Sequence, residues 1–180
     1  MPYNHQTTTS NSRKAYSNLP IGSKNHMTFT FEEISHINKS ATDFVTSQLN
    51  IVGVNYELGP FLKMSCPKEW EQRPLTEWQT GTPLFRSVIC AFWVLPIDLH
   101  TFYMEKVSAH GFEERSSSWM NSVWVHKRTV EPDGASCKIH DVVEFTPRVR
   151  MIGALAARIY QTVFKHRHKR LQVRFGAKLR

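Results

Sequence analysis

The sequence predicts an α+β fold, an antiparallel β-sheet covered on one face by a single long C-terminal helix. Three observations point to it. From Leu84 to Phe145 the chain runs as successive stretches of strand-like alternation. Asp133-Gly134 lies between two of these stretches and is a strong hairpin signal. After Pro147, apolar residues recur at steps of three and four as far as Phe175. Several antiparallel strands cannot cover their own apolar face, and one amphipathic helix after them supplies the cover.

In chain order, residues 1–25 are rich in Ser, Thr, Asn and Gln and contain no acidic residue. They predict a disordered polar tail ahead of a single domain over 26–180. Met27–Ile34 alternates Phe29 and Phe31 with polar neighbours and predicts the first strand. Asn38 or Ser40 can cap a short helix reaching Leu49, with Phe44, Val45 and Leu49 inward. Gly53–Met64 follows as a second short helix or turn, broken at Gly59-Pro60. Cys66–Pro83 reads as a loop whose Trp70 and Trp78 pack over an edge of the domain. Leu84–Leu95 predicts a strand, turning at Pro96-Ile97-Asp98 into another over Leu99–Val107. Gly111–Met120, Ser122–Val130 and Ala135–Phe145 complete the strand run. Arg148 to Phe175 predicts the long helix, with Ile152, Leu155, Ile159, Tyr160, Val163, Phe164 and Leu171 on one stripe, and Gly176 stops it.

Composition excludes several classes. Of 180 residues, 41% are hydrophobic and 12% aromatic, too many for a disordered chain. The longest apolar run, Val88 to Ile97, is about half the length of a spanning helix. Three scattered cysteines, Cys66, Cys90 and Cys137, suit neither a disulfide scaffold nor a Cys-only zinc site, and point to free thiols in a reducing, cytoplasmic compartment. The net charge of +8 is concentrated after Pro147, where ten basic residues meet no acidic one. Such a stripe is either a solvated helix face or a weak contact for an anionic surface. No nucleic-acid module accompanies it, so no specific nucleic acid is expected. His166 and His168 point apart on a helix, so no metal is expected. No glycine-rich phosphate loop is present and Ser116 to Ser118 lack a nucleophile's context, so no cofactor and no hydrolase triad are expected.

The hairpin permits a register. A two-residue turn at Asp133-Gly134 sets Trp124 opposite Val143, His126 opposite Asp141 and Arg128 opposite Ile139. These residues, with Cys137 and Phe145, share one face, a candidate inner wall; Lys127, Thr129, Lys138 and His140 take the other. His126 and Asp141 then meet on an otherwise apolar wall. They tie two strands together, hold a polar group of a ligand, or act as acid/base and orienter.

Several stretches in this order resemble the START-like (SRPBCC) superfamily of small ligand-binding proteins. They are Asn55-Tyr56-Glu57-Leu58-Gly59-Pro60-Phe61-Leu62-Lys63-Met64, Phe112-Glu113-Glu114-Arg115, Trp124-Val125-His126-Lys127-Arg128, Asp141, and Phe164-Lys165-His166-Arg167-His168-Lys169-Arg170-Leu171 closed by Phe175-Gly176. The resemblance implies a helix-grip fold, a curved antiparallel sheet wrapped around the last helix with two short helices after the first strand. It also implies a hydrophobic cavity that takes an apolar small molecule or lipid. Relatives include carriers, receptors and aromatase/cyclase enzymes. Met64 and Met104 are then adaptable cavity lining or plain core. Arg167 and His168 interrupt the apolar stripe, so at least one turns inward, and a buried guanidinium needs a carboxylate. Glu57 is the candidate, because the short helices of this fold approach the last one. The expected ligand-binding set is Glu57, Trp124, His126, Arg128, Asp141, Arg167 and His168. The expected function is non-covalent carriage or sensing, and the alternative is a cyclase or dehydratase with His126 as acid/base and Asp141 as orienter.

Overall fold

A computed structural model describes residues 27–177. The expected polar tail over 1–25 lies outside the described residues. Seven strands form one antiparallel sheet: β1 (Phe29–Ile37), β2 (Leu62–Met64), β3 (Pro83–Ala91), β4 (Leu95–Ser108), β5 (Gly111–Ser118), β6 (Asn121–Asp133) and β7 (Ser136–Pro147). Helices α1 (Ala41–Gln48) and α2 (Ile51–Leu58) follow β1, and α3 (Gly153–Phe175) ends the fold. The spatial order is β1-β7-β6-β5-β4-β3-β2, so β2 to β7 form a meander and β1 pairs with β7. Register shifts at Ile89/Cys90, Met104/Lys106 and Asn121/Val123 bend the long strands. The result is the helix-grip arrangement, a curled sheet around α3.

Local chemistry explains the short helices. The Ser40 hydroxyl accepts from the Asp43 N–H at 3.2 Å and caps α1. The Asn50 side chain accepts from the Gly53 N–H at 2.8 Å and starts α2 two residues ahead of the expected Gly53. The expected loop contains two 3-10 turns, Lys68–Trp70 and Leu75–Glu77. Trp70 and Trp78 pack edge to face there and continue onto Phe85 and Phe102.

The first strand runs over Phe29–Ile37 rather than the expected Met27–Ile34, and three larger differences follow. The turn between β3 and β4 lies at Phe92–Val94, not at Pro96-Ile97-Asp98. Phe92 and Trp93 take positive φ of 48° and 71°, and the Val94 N–H donates to the Ala91 carbonyl at 3.2 Å. Pro96 instead enters β4 beside the bulge. The long helix begins at Gly153 after a 3-10 turn at Arg150–Ile152, not at Arg148. A Cβ at Gly153 would come within 2.5 Å of the Phe29 ring, so glycine lets α3 start tight against β1.

The third correction is the hairpin register. Asp133 pairs with Ser136, and the two-residue loop is Gly134-Ala135, with Gly134 at φ 64°. Trp124 therefore faces Phe145, His126 faces Val143 and Arg128 faces Asp141. The slip spans two positions on one strand, so every side chain keeps its expected face while its partner changes. The core of Ile37, Phe44, Val130, Ile139 and Leu171 fills one end beneath α1 and α3. At the other end the sheet and α3 stand apart.

Candidate functional site: a cavity with one charged wall

A cavity of about 930 Å³ separates the sheet from α2 and α3. Most of its lining is apolar, including Leu58, Met64, Trp78, Phe102, Met104 and Phe164. Met64 and Met104 thus serve as lining and core together. Residues that both line the cavity and reach solvent mark its mouth: Phe61, Phe92, Ile97, Arg158 and Ile159.

The sheet wall is polar in one zone. Arg128 donates from Nε to Asp141 Oδ1 at 2.7 Å and from Nη2 to Oδ2 at 2.6 Å. Its Nη1 and Nη2 reach Glu57 at 2.9 and 3.0 Å. Arg167 Nε donates to Glu57 Oε2 at 3.0 Å, the pair expected from the helix spacing. His168 also turns inward, its Nε2 hydrogen-bonded to Asp141 at 2.9 Å and its Nδ1 to the Ser35 hydroxyl at 2.8 Å. His126 Nε2 donates to Asp141 Oδ1 at 3.1 Å. Two guanidiniums and two carboxylates balance in this knot. A fully buried guanidinium needs that balance, because removing either carboxylate would leave a charge out of water.

Electrostatics follow the geometry. Burial is the largest influence on the Asp141 and Glu57 carboxyls and pushes both up, but Arg128 together with His126 at Asp141, and Arg128 together with Arg167 at Glu57, bring both below their ordinary range. Burial lowers His126; Asp141 opposes this in part and the two arginines add to it, so the ring is held neutral. Its Nδ1 makes no hydrogen bond among the described residues and stands 3.8 Å from Glu114 Oε2. Glu114 in turn accepts from His100 Nε2 at 2.6 Å. Burial raises Glu114, and His100, His126 and the Ser116 hydroxyl bring it below its ordinary range.

The expected site residues divide into two groups. Trp124, His126, Arg128 and Arg167 line the cavity. Glu57 and Asp141 stand behind the wall, held by the lining arginines and His126, and His168 stands behind it too, bonded to Asp141 and Ser35. His100 and Glu114 line the cavity and were missed. Alternation could have found them: His100 shares a face with Phe102 and Met104, and Glu114 shares one with Phe112. His166 lines the cavity too, where its Nε2 donates to the Gly59 carbonyl at 2.7 Å.

α3 buries less than its apolar stripe suggests. Ala156, Phe164 and Leu171 are buried, but Leu155 is 60% and Ile159 50% exposed, and Met151 is almost wholly in solvent. Among the described residues no helix is long and apolar enough to cross a membrane.

The family model described as "Domain of unknown function (DUF8410)" matches residues 35–175. The chain belongs to the DUF8410 family. This DUF8410 chain is similar in structure to protein CV1439 from Chromobacterium violaceum, with TM-score 0.63 at 10% identity over 83% of this chain and 99% of that one. It is also similar to a START superfamily protein from Mycobacterium smegmatis, with TM-score 0.55 at 10% identity over 81% and 96%. Truncated norcoclaurine synthase from Thalictrum flavum matches with TM-score 0.56 at 14% identity over 88% and 100%. These likenesses show the fold, and it is that of the START-like (SRPBCC) superfamily. A comparison with curated proteins finds no match to the DUF8410 chain.

Proposed function

We propose that this DUF8410 domain binds a hydrophobic small molecule or lipid non-covalently in its internal cavity, as a carrier or sensor. The observation that carries the reading is the cavity itself: about 930 Å³, apolar on most sides, with one charged wall. Ligand pockets fall between roughly 300 and 1,000 Å³ and combine apolar lining with a few fixed polar groups. Apolar burial would supply affinity at about 25 cal/mol per Å² before the costs of association. His126, Arg128 and Arg167 would orient the ligand's polar end, with Trp124 against its body. Glu57, Asp141 and His168 would act through them by fixing their positions. The free thiols of Cys66, Cys90 and Cys137 support a reducing, cytoplasmic setting.

Native mass spectrometry of the purified protein, followed by denaturing extraction, tests this directly. A stoichiometric apolar compound is expected. An empty protein that also leaves the fluorescence of N-phenyl-1-naphthylamine unchanged would refute the reading.

A weaker contact with an anionic surface fits the mouth, whose exposed lining residues include Phe61, Phe92, Ile159 and Arg158. Sedimentation with phosphatidylserine vesicles that is lost at high salt is the expected result, and sedimentation unchanged by salt would exclude it. The cyclase or dehydratase reading is favoured by one feature: a neutral His126 on the cavity wall with an unbonded Nδ1. It requires that His126→Gln abolish turnover of a bound compound while binding persists.

A further inference from the structure

One cavity-lining side chain is left incomplete. Asn121, the first residue of β6, is 2% exposed. Its backbone N–H donates to the Ser118 hydroxyl at 3.1 Å, and its Nδ2 donates to the Tyr160 Oη of α3 at 2.8 Å. Its Oδ1 has no hydrogen-bond partner among the described residues. The other such buried side-chain atom there is the Ser87 hydroxyl, which does not line the cavity. Buried amide oxygens are almost always satisfied, and one left open costs free energy unless something else fills it.

The chemistry of the filler can be read from its neighbours. Tyr160 accepts from Asn121, so its own O–H remains to be donated. Burial, together with the Asp98 carboxylate, raises the phenol despite the Asn121 bond, so it stays protonated. The pair therefore offers an open acceptor and an open donor side by side. If the amide is turned over, its NH₂ becomes the open donor and Tyr160 keeps a free lone pair. A hydroxyl group satisfies either arrangement because it both donates and accepts. A carboxylate satisfies only the donor, and Asp98, which also lines the cavity, would repel it.

We propose that Asn121 and Tyr160 form a seat for an alcohol or phenol hydroxyl on the cavity's ligand. The proposal rests on the carrier reading and deepens it. Tyr160 and Arg167 are seven positions apart on α3, about 10 Å at 1.5 Å per residue. Trp124 lies between these polar stations, packed on both Tyr160 and Phe164. The ligand is thus an apolar body with a hydroxyl at the Asn121 end.

The test is displacement of N-phenyl-1-naphthylamine by 1-dodecanol and by dodecyl methyl ether, which accepts but cannot donate. The readout is the ratio of the two displacing concentrations in the wild-type protein, in Asn121→Leu and in Tyr160→Phe. Comparing ratios removes the difference in how water solvates the two compounds. The preference for the alcohol is expected to fall about tenfold in Asn121→Leu and severalfold in Tyr160→Phe. Tyr160→Phe keeps the ring against Trp124 and Phe145, so it serves even if Asn121→Leu folds poorly. If the probe binds and the ratio is the same in all three proteins, the seat is refuted while the carrier reading stands. If neither the probe nor a co-purifying compound occupies the wild-type protein, the carrier reading fails and the seat fails with it.

Discussion

Two polar regions share one cavity wall, and they are built to opposite standards. In the knot of Glu57, Arg128, Asp141 and Arg167, every carboxylate oxygen accepts at least one hydrogen bond and the charges balance. At the Asn121–Tyr160 end the groups are uncharged and one acceptor is open. The first region spends its hydrogen bonds on itself, tying α2, α3, β6 and β7 together around the guanidinium of Arg128. The second leaves bonding capacity unused on residues that line the cavity. Full satisfaction of the buried carboxylates holds the fold and fixes the geometry in which Arg128, Arg167 and His126 stand at the cavity. An incomplete buried group on a cavity wall marks where something else is received.

The comparison can be broken most sharply at Arg128. Arg128→Met would leave Glu57 and Asp141 buried with most of their compensation gone. A loss of about 3–5 kcal/mol is expected, or roughly 10 °C in melting temperature for a domain of this size, read by thermal and urea denaturation. A small effect would mean that water already reaches the knot.

Acid should act next, and on the same region. His126 lies below its ordinary 6.5 when folded, so the unfolded chain takes up that proton first. The corresponding stability is present above about pH 6.5 and is lost as pH falls below it. Glu57 and Glu114 lie below 4.5 and Asp141 below 3.8, so their contribution disappears in a second, more acid window. Melting temperature followed from pH 8 to 3 should show both losses. His126→Gln, whose side-chain N–H can still reach Asp141, should flatten the first and leave the second.

At the other end of the wall, Asn121→Leu should move stability by less than about 1 kcal/mol, because losing the bond to Tyr160 is offset by removing an unsatisfied acceptor. A cost above about 2 kcal/mol would show that Asn121 is structural after all. The smallest effect belongs to the exposed flank of α3. Ile159→Ser, at the mouth, should change stability by no more than about 0.5 kcal/mol, and should reduce sedimentation with anionic vesicles if the mouth rests on lipid.

Much of the fold was legible because alternation and helical spacing act locally. The inward faces of β6 and β7 follow from period-two alternation, and they survive a hairpin register that slips by two positions. The Glu57–Arg167 pair was accessible because a guanidinium interrupting an apolar stripe demands a carboxylate. The partners along the hairpin were less accessible. Asp133-Gly134 offers a two-residue turn, and so does Gly134-Ala135, with only the glycine at positive φ. The second choice sets Arg128 opposite Asp141, where the buried guanidinium obtains a bidentate partner. That preference is energetic and non-local, so no turn rule contains it. His100 and Glu114 lay on faces that alternation assigns, but their contact requires β4 and β5 to be paired. Asn121 carried no local signal, and Tyr160 read as one more member of an apolar stripe.

The sequence by itself therefore determined the α+β class, the long covering helix and the side of the sheet each residue faces, because these depend on the periods of single elements. Only the tertiary structure decided where the sheet and helix stand apart to leave a cavity, which exposed apolar residues rim it, and which buried polar atom lacks a partner. Those properties are sums over distant segments, and an unfilled hydrogen bond exists only once every possible donor has been placed.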